Sequence, residues 1–551
     1  MERDNAFHIG ICMAGAISAG AYTAGVMDYL IEALEAWEKR RGEPGVPTHR
    51  VVIPVIGGSS AGGMTGIIAA RALYDDFFPV TDLSGPEGEN LFYRSWVELT
   101  SDDMFPVMLG TGDLAGGKVY SLLNSDFIGE VADRSLKPAG TRKRRDYIAD
   151  RLKVFVTTTN LEGFTYNVAF HAASSAPNRY YISRHNDYVC FVLGDEGMEP
   201  GGWMNLEFLE GREQNVHTAR ESAMATGAFP IGLRARKVLR PADAVNANSW
   251  ISTIKGQDPA KADPLETLNI DGGLINNEPF DLIREVLDST CWPDPDKAGL
   301  DGRNQDYDRF RSTILMIDPF PAHLPEHSGK DDLLSVISST FGAMMGQLRT
   351  KPDHLVAAMS SADAGQYLVA PSRTFPRLGD RTKRTIQGAG AIACGSLGGF
   401  GGFLSKEFRV HDFHLGRANC EWFLRHHFTV PKNTTNEIFQ QGYRSVSNQT
   451  SFTSSSDGGL QIIPIFTKQR DSVPMPVFSS GGDWPVLNEA DILRLSPYIR
   501  QRIKALLPML LNKHRKLVKV AGWVYANRWL TGKATEAILK GLKEHNLVKQ
   551  S

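Results

Sequence analysis

The run VVIPVIGGSSAGGM, from Val51 to Met64, constrains the fold of this chain more than any other stretch. A short β-branched segment ends in Gly57-Gly58-Ser59-Ser60-Ala61-Gly62-Gly63, and a small-residue, helix-compatible segment follows from Met64 to Leu73. The order is strand, sharp turn, helix, with G-x-S-x-G at the turn. Gly58 and Gly62 on either side of Ser60 allow strained backbone angles and close backbone approach, where a Cβ would clash. Ser60 is left at a helix N-terminus, where N–H groups and the helix dipole favour developing negative charge, as an acyl-transfer nucleophile requires. Ser59 is the poorer candidate, because Ala61 and not glycine follows two residues later. Taken alone, the pattern is equally a Gly/Ser-rich turn without chemistry, and Pro54 inside the run argues against a central strand.

The same plan occurs once before. FHIGICM, Phe7 to Met13, reads as a buried strand, and Gly15, Gly20 and Gly25 punctuate a turn that opens a helix. Tyr22, Val26, Leu30, Leu34 and Trp37 fall at spacings of three and four on its face. EKRRG closes it, with positive charge in the last turn and glycine after. Two strand–turn–helix units imply an α/β fold with a mainly parallel sheet, whose ligands sit at the carboxyl ends of the strands. The N–H groups of the Gly15 to Gly20 turn suit an oxyanion hole or a phosphate site, although glycines five residues apart do not match a dinucleotide fingerprint.

Residues 77–150 read as an insertion, helical and loop. KVFVTTT (Lys153 to Thr159) is a predicted strand, Tyr180 to Leu193 several short strands, and Thr218 to Ala228 a small-residue helix. LNIDGGLINN (Leu268 to Asn277) is strand then turn, Phe280 to Leu287 helical, and Thr313 to Ile317 a strand. Asp271-Gly272-Gly273 places a carboxylate at a strand end, on the same rim as Ser60 if the strands are parallel. A partly desolvated aspartate at hydrogen-bond distance from a serine hydroxyl can take its proton, whereas D-G-G in isolation is more often a solvated turn.

The division expected is a catalytic domain over 1–330 and a mainly helical extension over 331–551. In the extension, Asp331 to Met345 is a predicted helix, and Gly388 to Phe403 is a Gly-rich apolar stretch that reads equally as a lid or a buried connection. His411 to Phe428 is an aromatic-bearing helix, Lys432 to Asp457 a mobile polar loop, and Arg500 to Lys549 a basic helical end. Lys513, Arg515, Lys516 and Lys519, with Trp523, Tyr525 and Trp529, suggest peripheral contact with anionic lipid or a solvated basic face over packed aromatics. A net charge of −2 gives no global field for nucleic acid. Five scattered cysteines (Cys12, Cys190, Cys291, Cys394, Cys420) point to a reducing, cytoplasmic setting. Acidic residues precede the apolar start, so no signal peptide is expected, and no apolar run is long enough to span a membrane. His354, His411 and His414 offer a third member for a Ser–Asp–His arrangement. The group His411, His414, His426 and His427 lacks the spacing of a metal site, so none is expected.

With these pieces in order, the chain resembles the patatin-like phospholipase family. The matching residues are Gly15 with Gly20-Ala21-Tyr22-Thr23-Ala24-Gly25-Val26, Gly58-Ser59-Ser60-Ala61-Gly62, Ser222-Ala223 with Gly227-Ala228-Phe229-Pro230, and Asp271-Gly272-Gly273. The resemblance covers about residues 7–320 and implies a three-layer α/β/α core and cofactor-free hydrolysis of lipid acyl esters by a Ser–Asp dyad. Carried onto this chain, it makes Ser60 the nucleophile, Asp271 the base, and Gly15, Ala16 and Ile17 the oxyanion hole. The family's run of glycines before a basic residue is here Gly15-Ala16-Ile17-Ser18-Ala19, with one glycine kept and the basic residue missing. A non-enzymatic lipid- or partner-binding protein on the same core is the alternative, and the acyl acceptor, water or alcohol, stays open.

Overall fold

Continuous apolar sequence makes the central strands. Ala6–Met13 (β1) is buried at every position, as a strand covered on both faces must be. A short 3-10 turn, Ile17–Ala19, leads into α1 (Gly20–Glu38), and β2 (Arg50–Gly58) passes at once into α2 (Ser60–Ala72). In the computed structural model, which describes residues 6–83, 85–86, 88–169, 179–194, 198–254, 256–291, 306–321, 366–376, 383–466, 473–510 and 520–549, β1 and β2 are parallel neighbours. The α1 face Tyr22, Val26, Leu30, Leu34 and Trp37 is buried. Pro54 is tolerated inside an interior strand because the ladder slips there on both sides. Pairing jumps from His8–Val52 to Gly10–Val55 and from Ile53–Ile148 to Val55–Lys153.

The insertion is short helices and loop, ending in α3 (Asp126–Ser135). Beyond it, β3 (Ile148–Ala169) is parallel to β2 on one edge and antiparallel to β4 (Arg179–Leu193) on the other. Two long strands thus replace the shorter ones expected. After β5 (Met204–Leu206) and α4 (Val216–Thr226) come β6 (Arg236–Arg240) and β7 (Leu265–Asp271), an antiparallel pair. Then follow α5 (Phe280–Cys291), β8 (Ser312–Ile317) and β9 (Gln366–Val369). The order across the sheet is β5-β4-β3-β2-β1-β8-β9, with the β6–β7 pair attached to β3.

The placement of β7 corrects the parallel arrangement expected for it. β7 is antiparallel to β3, with Asp271 opposite Thr158. β2 ends at Gly58, opposite Val156, and its chain turns away into α2. β3 runs on, and β4 fills its other edge. The edge that β2 vacates therefore takes the end of β7. β2 and β7 meet head to head along one strand, with Ser60 and Asp271 at the junction.

The chain after β8 packs directly on this core. β9 extends the sheet parallel to β8. Helix α6 (Lys406–His426) lies on α1 with the two backbones touching. A Cβ on Gly25 would stand 1.9 Å from Phe413 O, and one on Gly416 would stand 2.2 Å from Tyr22 O. Gly20 and Gly25 are thus contact residues within α1 and not part of the turn, Gly20 lying under the Trp96 ring. Buried ion pairs from Arg417 to Asp28 and Glu32 join the same helices. The polar stretch expected to be a mobile loop contains α7 (Glu437–Tyr443), whose Phe439 packs against Phe7 and Phe310. A few buried apolar residues among many polar ones order it. α8 (Ser496–Leu510) and α9 (Val520–Glu544) close the chain. The helix expected over 331–345 lies outside the described residues, as do Lys513, Arg515, Lys516, Lys519 and the side chains of Trp523 and Tyr525. Trp529 is exposed. Among the described residues no helix is long and apolar enough to cross a membrane.

His49 sits among the rings of Trp37, Phe439 and Tyr443, with Nε2 2.8 Å from Ile462 O. Burial pushes its pKa down from 6.5 to about 4. Between those values the unfolded chain binds a proton that the folded chain refuses, so stability falls as pH drops through that window, by up to about 3 kcal/mol. We expect His49→Gln to be less stable than the parent near neutral pH, yet to lose less stability on acidification to about pH 5. Urea midpoints of both proteins at the two pH values check this.

Candidate active site

Ser60 begins α2 in a left-handed conformation, φ +51°. Such a backbone costs of order 1–3 kcal/mol for a residue with a side chain and persists only when its surroundings fix it. Here the Ser60 N–H donates to Thr226 Oγ1 at 2.7 Å, and the Ser59 N–H to Met13 O at 3.1 Å. The strain falls on Ser60 itself. Its flanking glycines are needed for close approach: a Cβ on Gly58 would be 2.7 Å from the Gly62 carbonyl carbon, and one on Gly62 would be 2.3 Å from Met13 O.

Across the strand junction, Ser60 Oγ donates to Asp271 Oδ2 at 2.7 Å. The other carboxylate oxygen, Oδ1, accepts the Gly273 N–H at 2.7 Å. The aspartate backbone is fixed from both sides, its N–H donating to Ala228 O at 3.0 Å and its carbonyl accepting the Thr159 hydroxyl at 2.9 Å. Gly272 lets the loop pass Thr157, whose carbonyl oxygen would lie 2.1 Å from an added Cβ. Ser60 and Asp271 are each 5% exposed, so their contact is largely shielded from water. One carboxylate oxygen is held by an amide while the other faces the hydroxyl.

Gly15 passes directly over the serine. A Cβ there would be 2.9 Å from Ser60 Cβ and 2.6 Å from Asn277 Oδ1. Among the described residues the N–H groups of Gly15 and Ala16 have no protein acceptor, and Gly15, Ala16 and Ile17 line one cleft with Ser60 and Asp271. Ile17 is itself left-handed, φ +49°. The Gly388 to Phe403 run holds this turn from the far side, as buried 3-10 turns and not as a free lid. Ser18 Oγ donates to Gly399 O at 2.5 Å and accepts the Gly402 N–H at 3.0 Å. Gly399, at φ +98°, comes so close that an added Cβ would be 3.3 Å from Ile17 Cβ. Asp412 fixes the run in turn, accepting the N–H groups of Ala393 and Cys394.

Two spaces meet at Ser60. One is an open cleft of about 400 Å³, lined by Asp271, Phe229, Leu274 and Phe320 among others. The other is smaller and almost wholly apolar, lined by Met64, Ile68, Trp96, Leu99, Phe127 and Phe403 among others. Ser60, Ile17 and Phe229 border both. The histidines lie elsewhere. His411 is buried against Asp412 at 2.7 Å, His414 is buried with its pKa pushed down to about 4, and neither lines the cleft. His354 lies outside the described residues. Among the described residues no three His, Cys, Asp or Glu side chains gather as a metal site would require.

A family profile described as patatin-like phospholipase matches residues 11–283, which hold Ser60, Asp271 and the Gly15 turn. The uncharacterized protein y4iI of Sinorhizobium fredii is 32% identical over 526 residues, covering 85% of this chain and 72% of its own. The chain belongs to the patatin-like phospholipase family. The family is one of lipid acyl hydrolases. The relative covers more of this chain than the patatin-like core, so much of the extension is shared as well. Sequence reasoning missed Thr226, Thr159 and Ser18, hydroxyl residues that carry no local signal because their partners are remote in sequence.

Of the three glycines in α2, Gly62 and Gly66 are predicted to respond oppositely to alanine. Gly66 has room, with Met13 Cε 3.4 Å from an added Cβ, so Gly66→Ala gains helix propensity and stabilises by up to about 1 kcal/mol. Gly62→Ala drives a methyl group into the Met13 carbonyl and destabilises by about 1–3 kcal/mol. Urea denaturation of both variants measures the contrast.

Proposed function

We propose that this protein is a serine lipid acyl hydrolase that works through a Ser60–Asp271 dyad and an acyl-enzyme. The observation that carries the reading is the direct 2.7 Å hydrogen bond between hydroxyl and carboxylate at the mouth of an apolar pocket. Asp271 Oδ2 takes the Ser60 proton as Oγ attacks the ester carbonyl carbon. The oxyanion forms beside the N–H groups of Gly15 and Ala16, where fixed donors stabilise it. As the carbon–oxygen bond to the alcohol breaks, the proton on Asp271 passes to the leaving oxygen. Water then attacks the acyl-enzyme, gives its proton to Asp271, and restores Ser60 as the free acid departs. The acyl chain lies in the smaller apolar pocket, and the alcohol portion in the wider cleft.

The turn that supplies the donors has lost two glycines of its family pattern, and Ser18 compensates for this by binding it to the extension. Three expectations follow from these roles. Ser60→Ala abolishes release of fatty acid from a lipid panel, and full activity in that variant would sink the proposal. Asp271→Asn, which keeps the shape but cannot accept the proton, lowers kcat by about two to four orders of magnitude. Ser18→Ala, at a residue that also borders the apolar pocket, loosens the donors, so kcat falls by tenfold or more, up to the ~3 kcal/mol that one misplaced donor can cost. Steady-state kinetics on a soluble ester separate the three.

A further inference from the structure

The outer lip of the cleft carries four exposed apolar side chains. Phe229, which lines the cleft, is 40% exposed, Leu122 45%, Tyr120 49% and Ile231 75%. Ile231 is held at φ +66°, and the Gly232 N–H turns back to Pro230 O at 2.7 Å. This is a γ-turn of the strained, positive-φ kind with a β-branched residue at its apex. Glycine would sit there without that strain. The isoleucine instead stands mostly in water and gains no burial from its own chain. Strain and exposure are accounted for together if the side chain is buried against something outside the molecule.

The lip is also rigid. The Leu122 N–H donates to Ile231 O at 2.8 Å and the Leu123 N–H to Gly232 O at 3.0 Å. Beneath them Arg502, 2% exposed, donates to Leu122 O at 2.9 Å and to Gly110 O at 2.6 Å, and pairs with Asp113. Cations flank the apolar tips: the Arg234 guanidinium lies 4.1 Å from the centre of the Tyr120 ring, and Lys118 precedes it by two residues. Apolar tips with an aromatic ring and basic side chains around them match the boundary between acyl chains and headgroups.

We propose that the Tyr120–Leu122–Phe229–Ile231 lip docks on a lipid membrane surface, so that the cleft opens directly onto its substrate. The choice of lipid rests on the acyl-hydrolase reading, because the lip is continuous through Phe229 with the space assigned to the ester. The test uses the full chain with Ser60→Ala, so that vesicles survive, sedimented with vesicles of phosphatidylcholine alone or mixed with phosphatidylglycerol. The protein is expected to bind both, the anionic mixture more tightly. Adding Ile231→Gly or Leu122→Ser should weaken binding about tenfold, the loss for one buried aliphatic side chain. With Ser60 intact, Ile231→Gly should turn over a soluble short-chain ester at the parental rate and melt at a higher temperature, because glycine relieves the turn. Failure of the Ser60→Ala protein to sediment, undiminished binding by Ile231→Gly, or self-association that Ile231→Gly abolishes without vesicle binding would overturn the proposal. Ser60-dependent hydrolysis of the soluble ester without docking would sink this inference alone. Docking through Ile231 in a protein that hydrolyses nothing would sink the dyad alone.

Discussion

The end-on meeting of β2 and β7 along one edge of β3 is the constraint on which the site depends. Ser60 and Asp271 are 211 residues apart in sequence, yet their oxygens approach to 2.7 Å. Flexible loops would not hold that distance. Here both chain ends are registered on the same strand, Gly58 against Val156 and Asp271 against Thr158. Each side chain is then narrowed further, Ser60 by Thr226 and Asp271 by the Gly273 amide and Thr159. Supporting shells of this kind turn residues that are merely near into residues at reacting distance.

The turn over the serine depends on a second long-range tie. In place of two of the family's consecutive glycines it has Ala16 and Ile17, with Ile17 left-handed. A β-branched residue does not hold that conformation by itself. The Gly388 to Phe403 run supplies what is missing, through two hydrogen bonds to Ser18 and the close approach of Gly399. The same run places Phe403 in the apolar pocket. The family profile ends at residue 283, but the surroundings of the site continue to residue 403.

Local pattern was a good guide wherever the physics is local. The buried strands, the 3.6-residue face of α1, and the glycine-flanked Ser60 and Asp271 could be read because period and turn chemistry write them into neighbouring residues. The direction of β7 could not be read, because it depends on β2 stopping while β3 continues. Gly20 and Gly25 read as turn residues because glycine signals both a turn and a close contact, and only the positions of Trp96, over Gly20, and of α6, against Gly25, decide between them. The stretch from Lys432 to Asp457 read as a loop because its few buried residues, Phe439 among them, are outnumbered by polar ones that face outward. The Gly388 to Phe403 run was ambiguous because a lid and a buried connector share one composition.

The glycine contacts between α1 and α6 bear on how the protein is made. Gly25 lies against Phe413 and Gly416 against Tyr22, helices separated by most of the chain. While a ribosome is still adding the middle of the chain, Ser60 and Asp271 have been synthesised, but α1 lacks the helix that covers it and the serine lacks the brace above it. Completion waits until the α6 sequence emerges. Until then the α1 face that α6 covers stays open to solvent, so apolar surface is exposed through most of synthesis.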